Sequence, residues 1–202
     1  MSFRKMRIAL LRLSFVPVVF LAVFVRPSWG LESTVAFCVE LAGYAFLLAG
    51  LAIRVWSILY IGGRKSHELV TEGPYSVCRN PLYVGTFFLA VGAGLCFENL
   101  LMLLAVFLIL IPIHVYTAKT EEKHLLDLFP ESFREYRLRV PGFWPRLRLY
   151  RSSDSVTVKV RSIRRIAVDT VGVLLIPEVE DLLELLHHHG LIPVLFHFPA
   201  WG

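Results

Sequence analysis

The sequence predicts an all-α fold: a polytopic membrane helical bundle with about four transmembrane helices and cytoplasmic interfacial helices. Three observations lead there. Of the 202 residues, 56% are hydrophobic and only 18% charged, and mean hydropathy is +0.63, more apolar than a soluble domain of this size. The apolar residues gather in runs close to the ~20 residues that cross a bilayer. The glycine–proline turns and most of the charge sit between those runs.

The first run extends from Ile8 to Val25. Arg12 lies near its inner end, where it can snorkel to the headgroups, and Pro17 is placed to kink it. No small-residue cleavage site follows, so the run reads as a retained anchor. The second runs from Val35 to Tyr60, with its charges, Glu40 and Arg54, near the ends. The third, Leu82–Phe97, and the fourth, Leu100–Tyr116, are short, so flanking residues share their spans. Glu98-Asn99 is so tight a link that the two must form an antiparallel hairpin. Gly85, Gly92 and Gly94 would let the third helix approach a neighbour closely; the alternative is that they merely face lipid.

Orientation follows from Lys and Arg. Arg4, Lys5 and Arg7 precede the first run, Arg64, Lys65 and Arg79 lie in the central loop, and Lys119, Lys123, Arg134, Arg137 and Arg139 follow the fourth. Arg26 is the exception on the other side. The positive-inside rule puts both termini and the central loop in the cytoplasm, a parity that four spans satisfy. The net charge of +5 is then assigned to contact with membrane lipids and not to nucleic acid. Cys38, Cys78 and Cys96 form no metal or redox spacing. Three consecutive helical residues, His187 to His189, point in three directions and cannot share one ion, so no metal is expected.

The central loop, HELVTEGPYSVCRNPLYVG from His67 to Gly85, is the richest segment. Gly73-Pro74 is a turn signal, and Asn80-Pro81 starts the third helix, with Asn able to cap and Pro suited to the first position. His67, Tyr75, Arg79 and Tyr83 then gather at a helix N-terminus, which attracts anions. A ligand with a carboxylate, an adenine ring and a sulfonium could use every part. Alternatively, the tyrosines are interfacial belt residues and Arg79 pairs with lipid phosphate.

The second block is TAKTEEKHLLDLFPESFREYRLRVPGFWP. A helix continuing through it stacks Thr117, Glu121 and Leu125 on one face. Glu121 could accept hydrogen bonds from a ligand, or Glu121 and Glu122 are solvated and pair with Lys119 or Lys123. The run after Pro130 predicts a short amphipathic helix in the headgroup plane, with Phe133, Tyr136 and Val140 on one side.

The order of the two blocks, over roughly residues 54–145, resembles the isoprenylcysteine carboxyl methyltransferase family. The resemblance implies a membrane methyltransferase domain over residues 1–150 that uses S-adenosylmethionine and acts on a lipid-like or prenylated acceptor. It implies cofactor contacts from Tyr60, His67, Glu68, Leu69, Val70, Tyr75, Asn80, Pro81, Leu82, Tyr83 and Glu121. RNP stands here where many members have RHP. Thr117 occupies a position where the family often has an Arg proposed to hold the substrate carboxylate, and Arg79 is a second substrate-binding candidate. No catalytic acid or base is assigned. Phospholipid N-methylation, a nicotinamide-dependent membrane reductase and a non-catalytic assembly protein are the rival readings. Residues 151–202 read as an appended amphipathic or re-entrant tail. Nothing in the sequence indicates an oligomeric state.

Overall fold

The computed structural model describes residues 3–25, 34–62, 64 and 68–196. Its elements are helical: α1 (Phe3–Phe24), α2 (Thr34–Ile61), a one-turn α3 (Pro74–Val77), α4 (Pro81–Cys96), α5 (Leu100–Ala105), a π turn (Val106–Leu110), α6 (Ile111–Leu128), α7 (Pro130–Arg139), a 3-10 turn (Leu147–Leu149) and α8 (Val160–His188). Among the described residues, β pairing is limited to an isolated bridge between Val25 and Phe196.

Among the described residues, two stretches are long and apolar enough to cross a membrane, Phe37–Ile61 and the continuous Leu100–Leu128. Phe15–Phe24 and Pro81–Cys96 are apolar but shorter. Leu13, Val16 and Val19 on α1, Phe37, Leu41 and Leu48 on α2, and Leu104, Phe107 and Leu108 in the α5 stretch expose large apolar side chains. That much exposed apolar surface suits contact with lipid rather than water. The π turn has a local cause. Pro112 has no amide hydrogen, and its ring presses on the carbonyl four residues back; the wider turn absorbs that push.

The chain divides into two compact units. The first holds residues 1–48, 88–114 and 172–202. Its core joins Val18 to Met102, Ala105, Val106 and Leu110. The α4–α5 link is as tight as the sequence predicts: Glu98 takes a left-handed φ of 47°, and the Asn99 side chain accepts from the Met102 amide at 3.0 Å. Gly92 is where helices meet. A methyl group there would lie 2.8 Å from the Leu47 nitrogen and 2.9 Å from the Gly43 carbonyl oxygen, so the close-approach reading holds at this glycine.

The same unit ties the end of the described tail to α1. Phe196 bridges Val25, the Leu195 amide donates to the Phe24 carbonyl at 3.0 Å, and a His187 ring nitrogen lies 2.9 Å from the Val23 carbonyl. The chain therefore reaches Phe196 at the end of α1 opposite Phe3, about 33 Å away along a 22-residue helix. Most of the described tail forms one 29-residue helix, α8.

The second unit, residues 49–87 and 115–171, carries both sequence blocks. Here α7 forms with Pro130 at its first turn, Glu131 at the positive end and Arg137 and Arg139 at the negative end. Its Phe133, Tyr136 and Val140 are buried on Leu69, Leu125, Leu126 and Phe129. The helix thus turns its apolar face to the protein and not to the headgroup plane.

The glycines give a direct test. In detergent, Gly92→Ala should be destabilised by about 1–3 kcal/mol, because both neighbours are backbone atoms that must shift. Gly172→Ala, on α8 with nothing within 4 Å of the new methyl, should be unchanged or gain up to about 1 kcal/mol from helix propensity. Equal melting temperatures for the two variants would remove Gly92 from the packing argument.

Candidate functional site

The loop from Glu68 to Asn80 has little regular structure, so its backbone needs partners elsewhere. The segment after α7 supplies them. The Arg79 amide donates to the Pro141 carbonyl at 2.9 Å, the Asn80 amide to Gly142 at 3.1 Å, the Gly73 amide to Arg151 at 2.7 Å, and the Arg146 amide returns to Val77 at 3.0 Å. The Tyr136 hydroxyl donates to the Tyr75 carbonyl at 2.7 Å, and the Arg151 amide donates to the Ser76 hydroxyl at 2.9 Å. Residues 73–80 are thus stitched along their length to residues 136–151.

Gly73 is required by geometry. Its φ is +56°, and a methyl there would lie 2.4 Å from the Tyr60 ring. Tyr60, Val70 and Tyr75 form one buried cluster. Leu69, one residue away, enters the α7 cluster. Leu69 and Val70 therefore face opposite ways, as neighbours in extended chain do. The Tyr60 hydroxyl shares a 2.6 Å hydrogen bond with Ser152. Glu68 pairs with Arg64. His67 lies outside the described residues.

At the start of α4 the side chains reach α6. One carboxylate, that of Glu122, accepts from Arg79 Nε at 3.0 Å, from Arg79 Nη2 at 3.2 Å and from Asn80 Nδ2 at 2.6 Å. Arg79 Nη1 donates to the carbonyls of Arg137 at 3.1 Å and Val140 at 2.6 Å. Four of the five guanidinium N–H groups are thereby bound to the protein, so Arg79 acts as a staple rather than an open substrate clamp. Asn80 extends its amide across the loop, to Gly142 at 3.1 Å as well as to Glu122. Pro81 is buried and Leu82 half-buried. The Tyr83 hydroxyl donates to Glu121 Oε2 at 3.0 Å. Thr117, one turn before Glu121, is 2% exposed. The structure thus brings Asn80, Tyr83 and Glu121 together.

The Tyr75 hydroxyl stands apart. It is buried and has no hydrogen-bond partner among the described residues. Burial pushes it well above the usual phenol range; Tyr136, Glu121 and Cys78 add to the rise, and Arg165 opposes it. A buried donor without a partner is costly and uncommon. By contrast, Cys78 is a packing residue: its thiol donates to the Gly142 carbonyl at 3.2 Å, and burial pushes it up to about 11, so it is protonated at neutral pH. A separate polar cavity of about 410 Å³ lies beside the loop, lined by Arg64, Glu68, Glu72, Ser153, Ser155 and Lys159 among others. Among the described residues, Glu68 is the expected cofactor residue on its wall.

The residues sequence reasoning missed are Glu122 and Tyr136. The doublet Glu121-Glu122 was the signal for the first. Adjacent helical residues point about 100° apart, so the two carboxylates had to do different things. Tyr136 looked like an apolar-face residue, and its hydroxyl gave no sequence signal of a loop contact.

Residues 39–132 match the family model for phospholipid methyltransferases. The chain is 40% identical over 146 residues to the nickel-cobalt-cadmium resistance protein NccN of Alcaligenes xylosoxydans xylosoxydans, covering 72% of this chain and 68% of that protein. It is 40% identical over 139 residues to the cobalt-zinc-cadmium resistance protein CzcN of Cupriavidus metallidurans, covering 69% of this chain and 64% of that one. It is 37% identical over 81 residues to the protein-S-isoprenylcysteine O-methyltransferase of Schizosaccharomyces pombe, but spans only 34% of that enzyme. No solved structure matches. The family-model match spans the stitched loop and the glutamate doublet, and the chain belongs to the membrane methyltransferase family that phospholipid methyltransferases share with the isoprenylcysteine O-methyltransferases.

Proposed function

We propose that this chain is a membrane-embedded methyltransferase that binds S-adenosylmethionine at the junction of the loop, α4 and α6 and methylates a lipid-like acceptor. The observation that carries the reading is the orphaned Tyr75 hydroxyl. It is a buried donor within electrostatic reach of the Glu121 carboxylate. A ligand offering an acceptor to the phenol and cationic or N–H groups to the carboxylate would satisfy both. S-adenosylmethionine, which supplies an activated methyl group when bound, has that chemistry. Tyr75, Tyr83 and Glu121 would hold it by side chains. Val70 and Leu69, whose side chains are packed away, would contribute backbone only. The protein's part is to orient the two reactants and exclude water. A carboxylate acceptor is already ionised at neutral pH and needs no general base.

The acceptor follows from Thr117 and from the family. Family membership favours carboxylate O-methylation. Thr117, however, offers one neutral hydrogen bond where an Arg would offer a charged fork, and Arg79 is committed to Glu122. We therefore read the acceptor as an apolar molecule with a weaker polar head than a free prenylcysteine, entering from the bilayer. The names of the two bacterial relatives refer to metal resistance, and no property of the site described above requires a metal.

The site and the loop are read as cytoplasmic. We also read α1, α2, α4, the α5–α6 stretch and α8 as five crossings, because the pairing of Phe196 with Val25 returns the chain to the far end of α1. Reporter fusions at Ser28 and at the C-terminus should then agree, and a fusion at Ser153 should report the opposite face. A C-terminal reporter agreeing with Ser153 would restore four crossings.

Cofactor binding separates this reading from a non-catalytic one. Tyr75→Phe removes the orphaned hydroxyl, so the ligand-free protein should melt no lower than wild type. Its affinity for S-adenosylmethionine should nevertheless fall by about 1–3 kcal/mol, and Glu121→Ala should lose a similar amount. Wild-type affinity in a folded Glu121→Ala protein would take Glu121 out of the site.

Acceptor choice is tested with farnesylated cysteine and labelled methyl donor. Wild type should turn it over poorly and Thr117→Arg better. Efficient methyl-ester formation by wild type would show that another residue holds the carboxylate.

A further inference from the structure

Residues 137–151, from the end of α7 through the 3-10 turn, carry Arg137, Arg139, Arg146, Arg148 and Arg151 and no Asp or Glu. The remaining Lys and Arg, 21 less these five, equal the 16 Asp and Glu of the rest of the chain. The whole net charge of +5 therefore lies in this strip. All five arginines are exposed, and among the described residues none pairs with a carboxylate. Large apolar side chains stand between them: Leu138 is 91% and Trp144 87% exposed, and Leu147 and Tyr150 are exposed as well.

The backbone of the strip is committed to the loop. The carbonyls of Arg137 and Val140 accept from the Arg79 side chain, and those of Pro141 and Gly142 accept from the amides of Arg79 and Asn80. The Arg146 amide donates to Val77, and the Arg151 carbonyl accepts from Gly73. The strip thus tracks loop residues 73–80, a length that full extension limits to about 25 Å. Two ring contacts set its depth. Tyr150 lies against Trp56, centroids 5.9 Å apart, and Trp56 is about 8 Å of helix from the end of the apolar stretch at Ile61. Phe143 stacks on Phe87 at 5.9 Å, about 9 Å into the apolar α4. Residues 143–150 are therefore held beside the terminal turns of two apolar helices, the height at which headgroups begin.

We propose that residues 137–151 form a docking surface for anionic phospholipid headgroups. The proposal rests on the reading above that these helices cross a bilayer. Exposed Trp144 and Leu147 enter the interface, and the arginines bind phosphate oxygens, for which the planar guanidinium fork is suited. Net positive charge with no carboxylate in the strip favours an anionic lipid over a zwitterionic one. Because the inner edge of the strip holds the loop, docking steadies the candidate site from behind.

Full-length protein is reconstituted in an equal mixture of phosphatidylcholine and phosphatidylglycerol, extracted in mild detergent, and its retained lipids are counted by mass spectrometry. Wild type should retain phosphatidylglycerol over phosphatidylcholine about threefold or more, and extraction at high salt should erase the preference. Arg146→Gln/Arg148→Gln/Arg151→Gln should retain the two lipids nearly equally, yet melt with wild type in phosphatidylcholine alone, because the stitching uses backbone atoms. A charge-matched triple on α8, Arg161→Gln/Arg164→Gln/Arg165→Gln, should keep the wild-type preference. No preference in wild type would overturn the proposal. So would equal loss in both triples, which would make net charge the cause. The amides of Gly73, Arg79 and Asn80 should exchange more slowly with phosphatidylglycerol present; unchanged exchange would overturn the link to the loop. A protein that does not enter the bilayer would sink the membrane reading itself, and this proposal with it.

Discussion

The contact on which the second unit depends is the Glu122 carboxylate with its three donors. Arg79 and Glu122 are 13% and 15% exposed at the side chain, enough shielding for the pair to be more than a surface ion pair. Removing either partner would leave the other charged and desolvated, at a cost of about 3–5 kcal/mol. The contact fixes the start of α4 against α6. Once that is set, Tyr83, one turn into α4, meets Glu121, the neighbour of Glu122. The doublet divides its labour: one carboxylate holds the loop and the other faces the candidate site.

The loop itself is ordered by backbone bonds rather than by helix. Fixing each residue costs about 1–2 kcal/mol of entropy, and residues 136–151 offset it by returning partners along 73–80. This has a functional meaning. Methyl transfer by direct displacement gains most from alignment of the reacting groups. A loop tied at both edges, over a helix whose Phe133 is 1% exposed, supplies that alignment before any ligand arrives. Such a loop behaves as a preformed wall, with positions held by their neighbours, and the amphipathic α7 is its buttress.

Hydrophobic runs and turn residues made the apolar helices, the α4–α5 hairpin and the apolar face of α7 legible in the sequence. These features depend on local periodicity, which a chain carries openly. The partners of Arg79 were not legible. Nothing local distinguishes an Arg bound to Glu122, 43 residues away, from one bound to lipid phosphate. The continuous tail helix was not legible for a related reason. Its helix mixes apolar stretches with Arg161, Arg164, Arg165, Asp169, Glu178, Glu180, Asp181 and Glu184. Pro177 stands inside it, a residue that ordinarily ends a helix. Contacts of Ser162 at Gly62 and of Asp169 with Arg54, invisible to propensity, hold the first turns in place.

On the proposed reading, the electrostatic arrangement accounts for a site that works without a catalytic acid or base. Its ligand would bring two cationic centres and one carboxylate. A shielded site must answer each charge or forfeit the solvation it displaces. On the proposed reading, Glu121 would answer a cation and the phenol of Tyr75 the carboxylate. When the methyl group leaves, the sulfonium charge vanishes while that of a carboxylate acceptor is quenched, so charge is destroyed in the step and a low-polarity environment favours it. A membrane-embedded helical frame supplies that environment. The polar residues are then needed to bind and orient, and the stitched loop is what keeps them few and fixed.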